Sequence, residues 1–209
     1  MKMNKILLYS PIYDFVAEDL INKLDSIPSE EDVLIEINSP GGSVFAGWGI
    51  IAAMQRRQGN VKLSVTGVAA SMSAYMLLYA DRENVSALNV SKFMLHSAQY
   101  EAENEDDQKL LDSANEDIKA RLKSRIDEEK LREITGLSVD ELFASGRDVW
   151  LTAKEAKETG LIGKTIFLER EEILGMVALR RQGDGESQGD KQLEAEAINK
   201  LIFNLKIEI

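Results

Sequence analysis

Short apolar runs rich in β-branched residues alternate along this chain with segments whose apolar positions recur every three or four residues. Residues 5–10 (Lys-Ile-Leu-Leu-Tyr-Ser) and 33–38 (Val-Leu-Ile-Glu-Ile-Asn) are of the first kind, bounded by turn formers, and predict buried strands. Between them Val16, Ala17, Leu20, Ile21 and Leu24 keep helical spacing, and Pro28 with Ser29 closes the segment. The pattern then repeats: a helix over 44–57, a strand over 61–66, a small-residue turn and a helix over 72–80. Two shorter strands are predicted over 85–88 and 92–95. Strands alternating with helices imply a mainly parallel sheet with right-handed crossovers, so the expected fold class is α/β.

From residue 103 to 134 the chain becomes strongly charged, with Leu110, Leu111, Ala114, Ile118, Leu122, Ile126 and Leu131 forming an apolar stripe. That pattern predicts a long helix with one packed and one solvated face, the packed face meeting its own domain or another subunit. Ser138 opens a short helix, and Thr152-Ala-Lys-Glu155 is a capping box whose helix stops at Gly160. A further strand is expected over 165–168. Residues 182–190 (Gln-Gly-Asp-Gly-Glu-Ser-Gln-Gly-Asp) read as a linker, and 191–209 as a tail element. The expected organisation is one domain over 1–170 and a linker with tail over 171–209.

Composition narrows the partners. The chain of 209 residues carries 25 basic against 36 acidic side chains, a formal charge of -11, which repels phosphate backbones and anionic membranes; neither nucleic acid nor membrane is an expected partner. The absence of cysteine removes disulfides, zinc-thiolate sites and cysteine nucleophiles. No stretch reaches the ~20 apolar residues of a membrane span, and the opening apolar run is too short for a signal peptide. The expected location is the cytoplasm.

The single histidine, His96, ends an apolar strand (Phe93-Met-Leu-His96), at the carboxyl edge where open α/β sheets place ligand crevices. A lone histidine there is also a common structural residue. Any mechanism pairing a hydroxyl nucleophile with an imidazole base must use this one. The segment Gly67-Val-Ala-Ala-Ser71-Met72-Ser73-Ala74 joins a strand to a helix through small residues. Helix-start amides favour a developing oxyanion there, so Ser71 is a candidate nucleophile; Ser73 is nearly as good, and a plain helix cap is, on this segment alone, the commoner role for such a serine. Asn38-Ser-Pro-Gly41-Gly42-Ser43 follows a strand and precedes a helix. Its glycines suit either a tight turn or amides aimed at a ligand, but it lacks the lysine of a phosphate-binding loop. Asp148 lies just before Val-Trp-Leu and is, on its own, one acid among 36.

Taken together, Glu36-Ile-Asn-Ser-Pro-Gly-Gly42, Gly67-Val-Ala-Ala-Ser71-Met72, Phe93-Met-Leu-His96, and Asp148 followed by Trp-Leu-Thr-Ala-Lys-Glu-Ala resemble the ClpP-type serine peptidases. Order and intervals fit that family across residues 5–168. The resemblance implies a ClpP/crotonase-like spiral of repeated ββα and βαβ units with a long protruding handle helix. It also implies Ser71 as nucleophile, His96 as general base, Asp148 as the acid that orients the histidine, and the Gly42 and Met72 amides as oxyanion hole. Peptide substrates would add as a strand beside Gly41, Gly42 and Ser43. It further implies a ring-forming homo-oligomer acting on polypeptides, with no cofactor and no metal.

Housekeeping members carry an N-terminal segment that engages a partner ATPase, whereas here the first strand begins about five residues in. Coupling to a Clp-type ATPase is therefore not expected. The Ser43-Val-Phe-Ala-Gly47 and Trp150-Leu-Thr-Ala segments, with the added tail, look more like the prophage-encoded branch associated with capsid or prohead processing. Three readings compete with it: ATPase-coupled housekeeping degradation, a crotonase-like acyl-CoA enzyme on the shared architecture, and a catalytically silent assembly protein.

Overall fold

A computed structural model describes residues 3–99 and 104–167. The expected linker, tail element and domain boundary at 170 lie outside the described residues. Strands β1 (Asn4–Leu8), β2 (Val33–Ser39) and β3 (Val61–Ala70) pair in parallel, with Ile6 opposite Ile35 and Ile35 opposite Leu63. Strand alternation puts Ile6, Leu8, Val33, Ile35, Ile37, Leu63 and Val65 on one buried face. Helices α1 (Asp14–Asp25) and α2 (Val44–Gln55) pack on each other, and Leu20, Leu24, Ile50 and Ile51 join that face in one core. Parallel strands β4 (Val85–Leu88) and β7 (Lys164–Ile166) extend the sheet in the order β1-β2-β3-β4-β7.

β3 serves two neighbours along its length, and a bulge makes this possible. Ile37 faces Val65 but Ser39 faces Ala69, so two residues of β2 match four of β3. The Val68 N–H left over donates to Asn38 Oδ1 at 3.0 Å. Before the bulge β3 pairs with β4; after it Val68, Ala69 and Ala70 pair with β5 (Lys92–Leu95), which pairs antiparallel with β6 (Val149–Thr152). The strand predicted over 61–66 thus runs on to Ala70, because the bulge re-aims its second half onto β5.

After β3 come the short α3 (Met72–Met76) and a 3-10 turn over Leu77–Tyr79. The long helix expected over 103–134 is two helices, α4 (Glu105–Arg125) and α5 (Glu128–Thr135). Ile126 breaks it: its backbone is extended (φ −98°, ψ 158°), its side chain sinks into the core, and Asp127 caps α5 by accepting the Lys130 N–H. The Asp127 N–H crosses to Thr159 O at 2.8 Å. α4 buries Ala114, Ile118 and Leu122, four residues apart, and Ile118 and Leu122 each contribute about 1.5–3 kcal/mol by leaving water. Leu110, one turn earlier, is 44% exposed. Helices α6 (Val139–Ser145) and α7 (Ala153–Glu158) both start with capping boxes, Ser138 with Glu141 and Thr152 with Glu155. No helix among the described residues is long and apolar enough to cross a membrane.

Candidate active site

Ser71 stands where β3 gives way to α3. Its backbone (φ 54°, ψ −128°) is the one non-glycine positive φ among the described residues, a strained conformation held by surrounding bonds. The Ser71 N–H donates to Met94 O on β5 at 2.9 Å, and its carbonyl accepts from the Ala74 and Tyr75 N–H groups. Ser73 secures the same turn from below. Its fully buried hydroxyl lies 2.7 Å from Ser39 O and 2.8 Å from Ala70 O, and accepts the Ala70 N–H at 2.9 Å. The two serines are thereby distinguished, since Ser73 is occupied with backbone while the Ser71 hydroxyl caps nothing in α3.

The Ser71 hydroxyl instead reaches His96 Nε2 at 2.8 Å, and His96 Nδ1 lies 3.1 Å from Asp148 Oδ1. A carboxylate can only accept, so the imidazole carries its proton on Nδ1 and leaves Nε2 as acceptor for the serine O–H. The acid meets the base through strand register. β5 and β6 pair Lys92 with Thr152 and Leu95 with Val149, where the ladder ends, and the same register continued by one residue runs through His96 and Asp148. The His96 side chain is 21% exposed and that of Asp148 56%.

The glycine segment closes the site from the other side. Ile12 forms a parallel bridge with Gly42, taking the Ser43 N–H on its carbonyl at 2.9 Å and giving its own N–H to Gly41 O at 2.8 Å. Gly41 and Ser43 use these groups toward Ile12, which turns the Gly42 N–H to the opposite side. Ser43 also caps α2 by accepting the Ala46 N–H. Gly41 (φ 88°) runs against the serine turn: a Cβ there would stand 2.4 Å from Ala70 O and 2.9 Å from Met72 N. Met72 begins α3, so its N–H has no partner within that helix. Gly41 and the Met72 amide thus lie beside Ser71, with Gly42 next in the chain.

Beside Gly42 opens a cavity of about 340 Å³ walled by Val44, Phe45, Leu110, Leu111 and Ala114, with Gln99 at its rim. Asn115 of α4 pins the chain next to it, accepting the Ala98 N–H at 2.7 Å and donating to Ala98 O at 3.1 Å. A larger concavity of about 490 Å³ between the end of α1 and Arg56 and Arg57 touches none of these groups.

Three contributors escape the sequence reading: Ser73 as a turn staple, Asn115 as a clamp, and Tyr75, whose hydroxyl bonds both backbone groups of His96. Burial pushes the Tyr75 phenol well above its ordinary range, so it stays protonated and able to donate. The available signal was spacing, since Tyr75 lies four residues after Ser71 on one helix face.

The chain matches the Clp protease family over residues 1–169. It is 36% identical to the ATP-dependent Clp protease proteolytic subunit of Bacteroides fragilis over 169 residues, covering 78% of each chain. The subunit of the same name from Bacteroides thetaiotaomicron is 36% identical over 169 residues, covering 78% of this chain and 74% of that one. Among solved structures, a ClpP1 point mutant from Listeria monocytogenes superposes with a TM-score of 0.65 at 29% identity, over 81% of this chain and 94% of that chain. The neighbour's fold matches the ClpP-type α/β architecture expected from the motifs, and the family's chemistry selects peptide hydrolysis over acyl-CoA chemistry. With its fold, its strand-to-helix serine and its relatives in agreement, the chain belongs to the Clp protease family and is a serine-type peptidase of the ClpP kind.

Proposed function

We propose that this peptidase is an endopeptidase working through Ser71, His96 and Asp148, with the Gly42 and Met72 amides as oxyanion hole. The observation that carries the reading is the strained Ser71 backbone presenting its hydroxyl 2.8 Å from His96 Nε2 while Asp148 sits on the other ring nitrogen. Ser71 Oγ attacks the scissile carbonyl as its proton passes to Nε2, and the carbonyl oxygen takes the negative charge beside the two amides. Collapse breaks the C–N bond, and the departing amine takes the proton from Nε2. Water then repeats the sequence on the acyl-serine and frees the enzyme. Asp148 holds the Nδ1 proton throughout and stabilises the imidazolium.

An extended polypeptide would lie along Gly41, Gly42 and Ser43, using the Gly42 backbone groups that the Ile12 bridge leaves over. The apolar cavity next to Gly42 suits an uncharged, apolar side chain at the cleaved residue. The enzyme acts as a homo-oligomer, probed by native mass: Leu110→Asp with Leu111→Asp on α4 should dissociate it, and a wild-type particle of monomer mass would remove this part of the reading. Action in the cytoplasm rests on the composition, and the prophage branch with its capsid-processing role on the sequence motifs, given above.

The direct test is labelling with a fluorophosphonate, followed by peptide mapping. Modification of Ser71, lost in Ser71→Ala together with polypeptide cleavage, is expected. Labelling at Ser73, or unimpaired cleavage by Ser71→Ala, would overturn the mechanism.

A further inference from the structure

The backbone of His96 is held by a single side chain. Peptide groups of alternate strand residues face the same side, so Met94 and His96 both turn theirs toward β3. At Met94 that side is filled, because its carbonyl accepts the Ser71 N–H at 2.9 Å. At His96 there is no strand left to pair with, since β3 has ended at Ala70 and the chain has entered α3. The vacated position is taken by the Tyr75 hydroxyl, which accepts the His96 N–H at 3.0 Å and donates its own proton to the His96 carbonyl. One hydroxyl offers one donor and an acceptor, and the two backbone groups need one of each.

The ring that carries this hydroxyl has little freedom. Tyr75 is 2% exposed and lies 6.3 Å, centre to centre, from the ring of Phe143. Its own N–H donates to Ser71 O at 3.1 Å. Tyr75 is therefore bonded to the backbone of the serine at one end and of the histidine at the other, and it fixes the distance between them.

We infer that Tyr75 is a positioning residue that sets His96 so that the imidazole reaches Ser71 and Asp148 at once. The inference rests on the proposed triad and adds a member that touches none of the reacting atoms. It is separable from general packing, because Tyr75→Phe keeps the ring against Phe143 and removes only the hydroxyl.

The test compares wild type with Tyr75→Phe on an unstructured polypeptide, with native mass and thermal unfolding confirming assembly of the variant. The expected result is a fall in kcat of about tenfold or more with KM within about twofold, because an orientation made for the transition state is lost while substrate binding is kept. The single histidine supplies a readout that packing alone would not move. The Nδ1–H proton resonance of ¹⁵N-histidine-labelled protein should be sharp in wild type and broadened or displaced in Tyr75→Phe. A kcat within twofold of wild type together with an unmoved resonance would overturn the inference. Should the variant not assemble, hydrogen exchange of wild type decides: the His96 amide must be as protected as that of Ser71, and rapid exchange refutes the bond to Tyr75. Failure of wild type to label at Ser71 would instead strike the triad itself, so the two failures are distinguishable.

Discussion

The Asn38 carboxamide fills the space that any side chain at position 67 would need: a Cβ on Gly67 would stand 2.4 Å from Asn38 Oδ1. That oxygen holds the Val68 N–H at the bulge of β3, and the bulge carries the second half of the strand to β5 and to Ser71. Gly67→Ala should therefore displace Asn38 and cost about 1–3 kcal/mol, the range for overpacking a tight site. Thermal unfolding measures the loss. Fluorophosphonate labelling of whatever remains folded should be slower than wild type; wild-type stability with wild-type labelling would show that the bulge tolerates a methyl group.

Asp148→Asn addresses the weakest of the proposed roles. An amide can donate as well as accept, so it can hold the imidazole in the wrong tautomer, which in the serine-protease template costs ~10⁴ in turnover. Here kcat should fall steeply and KM change little. A loss below about tenfold would reduce the site to a dyad of Ser71 and His96.

Ser73→Ala separates support from chemistry. Removing the hydroxyl leaves the buried Ala70 N–H without its partner and frees the Ser39 and Ala70 carbonyls, a loss of about 1–3 kcal/mol for an unsatisfied buried group. The melting temperature should drop while Ser71 remains the labelled residue. Loss of labelling with stability intact would be the contrary result, giving Ser73 a part in the reaction.

The junction that carries Asp148 into α7 should show a pH signature. Glu155 accepts the Thr152 N–H at 2.7 Å and the Thr152 hydroxyl at 2.8 Å, and these bonds hold its carboxyl below the ordinary 4.5. A depressed folded-state pKa contributes stability that is present above 4.5 and lost as pH falls through the lowered value. Glu155→Ala should cost about 1 kcal/mol near pH 7, typical of a lost cap. Denaturant titrations should show the difference from wild type shrinking as pH falls below 4.5 and through the lowered value; a gap independent of pH would mean that the ionised carboxylate is not what caps the helix.

How much of this was legible in the sequence varies with how local each cause is. β4 and β5 fall where their apolar runs end, at 85–88 and 92–95, because the turn formers around them act within a few residues. The Thr152–Glu155 capping box and the helix start at Ser138 were readable for the same reason. The break at Ile126 was not, since its cause is a tertiary anchor: Ile126 in the core and the Asp127 N–H on Thr159 O, 32 positions further on. The extension of β3 to Ala70 depends on Asn38 from another strand. The site divides in the same way. Taken one at a time, Ser71 was rivalled by Ser73, His96 had a structural reading and Asp148 was one acid among 36; the four motifs together, through the family resemblance, pointed to all three. Tyr75 offered only its spacing from Ser71, because the partners of its hydroxyl are backbone atoms 21 positions away.

The β5–β6 ladder has a further consequence for how the site can fail. β6 has one hydrogen-bonded neighbour, so nothing on its far side among the described residues corrects its alignment. A shift of a single position would bring Arg147 or Val149 opposite the imidazole in place of Asp148, and would turn every β6 side chain to the other face. A cation or an isopropyl group there cannot hold the Nδ1 proton, so the arrangement has no half-working setting. The charge at the end of this edge strand behaves as a discrete digit, correct in one alignment and wrong in both adjacent ones.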